Sequence, residues 1–426
     1  MIALVVCIFI CVLFLGFPIF MSIALSTFVP VMVSDIATAP QILRATVSGV
    51  NSTVSLAIPL FMLSGVIRSR GKISEKLFDV FTLLVGRIPG GLPIAVVLTG
   101  VFYGAICGSG VAATAAIGAM AVPTLLAIGY EKNFVAALIA SAGCIGVIIP
   151  PSIPMMTFAL VTNCSVGNLF TAGFIPGVIC AVAMIIYIEL YCRTSGENKE
   201  LIKKKYNELR SRGVYNVLKD SFWALLSPVI VLGGIYAGIV TPTEAAVISV
   251  FYSLFVCLLI YRSIKIKDIL AIIRESIQSF APLGLLLGFA IAFGRVLSLL
   301  QVPDTLANFL VTTFNGKGLF LLMLVIFLLI IGMFMDVGPA IIIFAPILLP
   351  VMQLMGVDVI RFGIISVVAL AIGLFTPPYG LNIFVAAPLC NTSVADLAKY
   401  AFKFAITFIL ALLIITYVPW VSLALL

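Results

Sequence analysis

Two double prolines carry the strongest chemical signal in this sequence. The first lies in Gly146-Val147-Ile148-Ile149-Pro150-Pro151-Ser152, the second in Gly373-Leu374-Phe375-Thr376-Pro377-Pro378-Tyr379-Gly380. A proline pair removes two backbone donors and disfavours helix at the residue before it, so a helix must open there and leave carbonyls free. Carbonyls beside Ser152 or Thr376 are hard oxygen ligands suited to a dehydrated Na⁺, and the N-terminus of a resuming half-helix favours an anion. Each break is preceded by a second irregular motif in an apolar stretch: Gly104-Ala105-Ile106-Cys107-Gly108-Ser109-Gly110, and Met335-Asp336-Val337-Gly338-Pro339. Glycine lets the chain turn without a Cβ clash and exposes N–H and C=O groups that must find partners. The expected chemistry is two cation sites, one from Gly108 and Ser109 against Gly146, Pro150 and Ser152, the other from Asp336 and Gly338 against Gly373, Thr376 and Pro377. An anionic substrate is expected between the two motifs, at Ser109, Gly110, Asp336 and Asn382. No organic cofactor is implied, and the hard oxygen ligands make Na⁺ the expected coupling ion.

Composition excludes most other chemistry. Of 426 residues, 63% are hydrophobic and 9% charged, against about 45–50% and about 25% in ordinary soluble domains. Such a chain cannot cover its own core with polar surface and reads as an all-α polytopic membrane protein embedded in a lipid bilayer. The absence of His removes Ser/His/Asp and Cys/His catalysis, His-ligated metals and imidazole proton relays. Nine cysteines without a CxxC spacing read as small buried hydrophobes. No GxxxxGK[ST] loop is present to cradle ATP, and Gly108-Ser109-Gly110 has neither a His nor a second Asp to make a protease dyad. No enzyme is expected. The excess of 24 Lys and Arg over 16 Asp and Glu reads as a topology signal, not as nucleic-acid affinity.

The elements that must position these motifs follow from length and charge. A hydrocarbon core of about 30 Å needs roughly 20 apolar residues, which selects spans near 1–27, 46–67, 134–160, 174–192, 220–240, 243–261, 276–300, 362–390 and 401–424. The stretches 92–125 and 318–350 are each long enough for two helices of about 16 residues, roughly 24 Å apiece, with their irregular motif at the middle. They read as re-entrant hairpins. The loops then place 20 of the Lys and Arg on one side and only Arg44, Arg295, Lys317 and Arg361 on the other. The positive-inside rule puts the N-terminus in the cytoplasm and the C-terminus outside. Residues 1–15 lack a charged leader and a cleavage site, so the first helix is expected to stay.

An offset of 227 superimposes Gly91 on Gly318, Pro123 on Pro350, Gly129 on Gly356, Gly146 on Gly373 and Pro150-Pro151 on Pro377-Pro378. The expected organisation is therefore a first repeat over 1–192 (hairpin about 92–125, broken helix about 134–160) and a basic cytoplasmic linker over 193–219. An unmatched span over 220–240 and a second repeat over 241–426 (hairpin about 318–350, broken helix about 362–390) follow. One unmatched span inverts the second repeat relative to the first, so the two tips converge near the midplane. Three smaller expectations concern single motifs. Thr241-Pro242-Thr243-Glu244 is a capping box. Arg68 and Arg295 snorkel at span ends. The run Lys203 to Lys205 is an inside anchor rather than a lipid or nucleic-acid site.

With these residues in view, the sequence resembles the large membrane subunit of the tripartite ATP-independent periplasmic (TRAP) transporters. The resemblance covers essentially the whole chain. It rests on GAICGSGVAATAAIG (104–118), GVIIPPSIPMM (146–156), LFTAGFIPG (169–177), TPTEAA (241–246), the Met335-Asp336 and PILLP of the second hairpin, and GLFTPPYG (373–380). It implies the elevator-type ion transporter fold, in the bacterial inner membrane. It also implies Na⁺-driven uptake of a small organic acid, a small four-helix membrane subunit and a periplasmic substrate-binding protein. No segment here supplies the four extra helices, so the small subunit is expected as a separate chain. The first tip is most similar to the C4-dicarboxylate branch, while related branches carry sialic and other sugar acids. Some relatives have Asp where Thr114 stands. An ion channel and an H⁺-coupled carrier remain the alternatives.

Overall fold

A computed structural model describes the chain except for residues 35, 196, 304 and 306–315. Gly196 of the expected linker and the stretch 306–315 of the expected second repeat thus lie outside the described residues. Helix is the only regular structure among the rest. The first half comprises α1 (Ile2–Phe14), α2 (Ile19–Val33), α3 (Ala39–Val50), α4 (Thr53–Arg70), α5 (Ile73–Val85), α6 (Gly91–Cys107), α7 (Gly110–Ile128), α8 (Lys132–Ile148), α9 (Ile153–Thr162) and α10 (Val166–Ser195). The basic linker folds as α11 (Lys199–Ser211). The second half comprises α12 (Val214–Tyr236), α13 (Pro242–Phe255, continued by a π turn Val256–Ile260), α14 (Ile269–Leu299), α15 (Lys317–Phe334), α16 (Val337–Leu354), α17 (Val359–Gly373), α18 (Leu381–Leu389), α19 (Val394–Tyr417) and α20 (Pro419–Leu423). Among the described residues, eight helices are long and apolar enough to cross a membrane, or up to ten if each bent pair is one span.

Each apolar stretch with an irregular centre is a pair of helices interrupted at its motif. The first turns at Gly108, whose φ of +65° is a left-handed conformation open to glycine at no steric cost. The second turns through extended Met335 and restarts at Asp336, the N-cap of α16. Both double prolines interrupt helices: α8 gives way to α9 across a 41° bend, and α17 to α18 across residues 374–380. Both Pro-Pro bonds are cis. The capping box is present as expected, with Glu244 N–H donating to Thr241 Oγ1 at 3.3 Å and Thr241 N–H donating to the Glu244 carboxylate at 2.8 Å.

The stretch 1–27 is two helices, not the single span expected. Gly16, at φ +81°, reverses the chain between α1 and α2, and Pro18 has no N–H with which to continue a helix. The two helices pack on each other. Hydropathy runs unbroken across this turn, so length alone merged them. Moreover, α2 packs on α14 in the way that α13 packs on α4.

Two packing groups result. One joins α2 and α3 to α14, and α4 to α13. The other gathers both hairpins around the broken helices: α6 and α7 lie on α8, α15 and α16 on α17, and α19 crosses α8. Within the first group, where α4 meets α13, lies the fully buried Arg68, expected to snorkel but only 1% exposed. Its guanidinium donates to Ser253 Oγ at 2.5 Å and Ser249 Oγ at 2.9 Å on α13. A cation deep in a dry interface costs several kcal/mol unless its donors are satisfied, and here two serines one helical turn apart take them. Arg295 is exposed, as expected.

Candidate functional site between the hairpin tips

The first tip and the first break are held in contact by backbone. Ile153 N–H, which starts α9, donates to the Gly108 carbonyl at 3.3 Å, and a Cβ on Gly108 would stand 2.9 Å from the Pro151 carbonyl oxygen. Gly146 lies inside α8 and not in the opening itself. Its carbonyl would be the partner of the N–H that Pro150 lacks, so it reaches the end of α8 without its helical donor. Ser152 is buried and caps α9, its Oγ accepting from Met155 N–H at 3.3 Å. Thr114 donates to the Gly110 carbonyl at 2.8 Å and sits against Gly143.

The second tip meets the second break in a related way. Gly380 N–H donates to the Met333 carbonyl at 3.0 Å, three residues before Asp336. The break is more tightly closed than expected: the Gly373 carbonyl accepts from Thr376 N–H at 3.1 Å and the Leu374 carbonyl from Asn382 N–H at 2.8 Å. Thr376 Oγ1 donates to the Ile372 carbonyl at 2.7 Å, which leaves its lone pairs open. Pro377, in the cis pair, is buried beside it.

A feature of both halves escaped the sequence reading. A Cβ on Gly104 would fall 2.2 Å from Gly146 Cα, and a Cβ on Gly373 would fall 2.2 Å from the Gly332 carbonyl carbon. In each half the ingoing limb of the hairpin thus crosses the following broken helix backbone to backbone, through a pair of glycines. The signal was present in the sequence as a glycine one turn before each tip, but which helix it faces is not local information.

The tips share one cavity of about 430 Å³, lined by Gly108, Ser109, Gly110, Asp336, Gly338 and Pro339, by Val147, Ile153 and Pro154 at the first break, and by Ser279, Pro282 and Leu283 of α14. Pro18, Ile19, Phe20, Met62 and Leu286 complete the wall. Asp336 is the only ionisable side chain on this lining; its Oδ1 accepts from Val337 N–H at 2.8 Å, and no Lys or Arg pairs with it among the described residues. Ser279, Met62 and the turn at Pro18 were not anticipated, because nothing in their own segments marks them. Asn382, expected at the substrate, does not line the cavity. It is fully buried behind Gly110, its Nδ2 donating to the Ala140 carbonyl at 3.0 Å, while Oδ1 has no hydrogen-bond partner among the described residues. Chemically the cavity offers one carboxylate, two hydroxyls and the backbone of the Gly108 turn and of the start of α16 within an apolar wall.

Residues 6–421 match the family described as "Tripartite ATP-independent periplasmic transporter, DctM component". The chain is 38% identical over 370 residues to a C4-dicarboxylate TRAP transporter large permease protein DctM of Pseudomonas aeruginosa, covering 87% of this chain and 85% of that protein. It is 36% identical over 407 residues to the isethionate TRAP transporter permease protein DctMQ of Oleidesulfovibrio alaskensis, covering 96% of this chain but only 63% of that longer relative. In fold it is similar to the Alcanivorax borkumensis YdaH transporter, with a TM-score of 0.61 at 16% identity over 90% of this chain and 88% of that one.

Proposed function

The chain belongs to the DctM component family of tripartite ATP-independent periplasmic transporters, a family of permeases and not of enzymes, and from that premise we propose that it imports a small organic acid coupled to Na⁺. The observation that carries the proposal is the cavity at the two tips. A small dicarboxylate entering it would meet Asp336 and no basic side chain. Burying like charges together in a low-dielectric site costs far more than hydrogen bonds return, so cations must enter with the substrate. The carbonyls and hydroxyls of the tips and breaks, with Asp336, supply oxygen ligands for them. Gly108, Ser109, Gly146, Pro150 and Ser152 make the first ion site in this reading, and Asp336, Gly338, Gly373, Thr376 and Pro377 the second.

A C4-dicarboxylate is the preferred substrate, with a sialic or sugar acid as the second choice, delivered by a periplasmic binding protein and with a small membrane subunit alongside. Alternating access follows an elevator motion in which the hairpins and broken helices move against α4, α13 and α14. In the bacterial inner membrane the linker faces the cytoplasm and the C-terminus the periplasm.

The test is uptake of labelled acids into proteoliposomes containing this chain with its small subunit and binding protein. Accumulation should require an inward Na⁺ gradient. Uptake driven by a pH gradient in Na⁺-free medium would refute Na⁺ coupling, and single-channel currents would refute a carrier.

A further inference from the structure

A second cavity, of about 780 Å³, shares no lining residue with the first and lies where the linker meets the C-terminal end of α10. Its wall brings together four cations from three segments: Arg87 of the α5–α6 turn, Arg193 at the end of α10, and Lys199 and Lys203 of α11. One carboxylate, Glu197, shares the wall, but it is already committed, accepting from Gly90 N–H at 3.0 Å and from the Tyr130 hydroxyl. Arg193 pairs with Glu189, and Arg87 lies 4.6 Å from the Tyr206 ring centroid, which fixes its guanidinium without neutralising it. Among the described residues Arg87, Lys199 and Lys203 have no carboxylate partner. With Arg193 paired and one Glu197 carboxylate set against Arg87, Lys199 and Lys203, the wall keeps a net positive charge that favours an anion.

The surroundings of the cavity say which anion. Leu84 and Ile88, flanking Arg87, are exposed large apolar side chains. On α10, Ile186 and Leu190 are exposed as well, and their spacing of four and three residues to Arg193 puts all three on one helix face. A strip of apolar surface therefore runs from the cations along the spanning part of α10. A soluble phosphate would use the cations alone; a phospholipid would use both features. We propose that this cavity binds the head group of an anionic phospholipid, with its acyl chains along Leu84, Ile88, Ile186 and Leu190.

The test uses the whole chain, purified in detergent and delipidated, then titrated separately with dioleoyl phosphatidylglycerol, dioleoyl phosphatidylcholine and inorganic phosphate. Bound lipid is read by native mass spectrometry and stabilisation by thermal unfolding. The wild type should hold phosphatidylglycerol in preference to phosphatidylcholine. A juxtamembrane cation contributes about fivefold to anionic lipid binding, so the double variant Arg87→Gln/Lys203→Gln should lose about 30-fold. Lys204→Gln/Arg210→Gln, which removes the same charge from α11 outside the cavity, should lose much less, and Arg87→Lys/Lys203→Arg should retain the preference, which separates lost binding from lost folding. Equal losses in the two Gln pairs would overturn the cavity in favour of general surface charge. Stabilisation by inorganic phosphate equal to that by the anionic lipid would overturn the lipid.

Discussion

Replacing Gly104 by alanine adds a single methyl group at the crossing of α6 and α8, and the structure fixes how badly it fits. The new Cβ would stand 2.2 Å from Gly146 Cα, against 3.4 Å for ordinary contact, so two backbones must part by about 1.2 Å. No side-chain rotation can relieve this, because both partners are main chain. Overpacking of this kind costs about 1–3 kcal/mol, and the displacement is not confined to residue 104. Gly108 N–H donates to the Gly104 carbonyl at 3.0 Å, so the tip moves with its supporting turn. A cation site tolerates ligand shifts of only about 0.2 Å, and the proposed first site should lose much of its affinity. Gly104→Ala is therefore expected to lower thermal stability in detergent and to raise the Na⁺ concentration for half-maximal uptake about tenfold or more, at about 1.4 kcal/mol per decade. Gly233→Ala is the control: it lies within α12 with nothing within 4 Å of the added Cβ, and should be neutral or stabilising by up to about 1 kcal/mol. A Gly104→Ala protein with wild-type stability and unchanged Na⁺ dependence would refute the argument that the glycine crossing holds the tip.

Asp336→Asn should abolish uptake while leaving insertion and folding intact, since the amide keeps the cap shape but removes the only anionic side chain on the cavity wall; near-normal transport would reduce Asp336 to a helix cap. Ser109→Ala and Thr376→Ala should each raise the Na⁺ requirement, measured as uptake against Na⁺ concentration, and an unchanged requirement in both would remove the two proposed ion sites. Arg68→Lys should destabilise the protein by about 2 kcal/mol in chemical unfolding, because one ammonium cannot replace the forked donors that reach Ser249 and Ser253 together. A Lys variant as stable as wild type would mean that the fork contributes nothing.

The sequence by itself determined what depends on neighbours along the chain. Gly108, the two proline pairs and the apolar runs on either side of them dictate turns and breaks wherever they occur, so the helix interruptions at these motifs were legible. Clustered Lys and Arg marked the linker for the same reason, and Thr241 with Glu244 marked a helix start. What depends on distant partners was decided only by tertiary structure. Arg68 reads as a span-end cation until α13 brings Ser249 and Ser253, more than 180 residues later, against it. Asn382 looks like a cavity residue until α18 docks behind Gly110 and spends its amide on Ala140. The stretch 1–27 is mostly apolar, and only the packing of α1 on α2 shows that Gly16 turns the chain back. A glycine announces that something will come close; which backbone comes close, 2.2 Å from where a Cβ would be, is a property of two helices crossing in space.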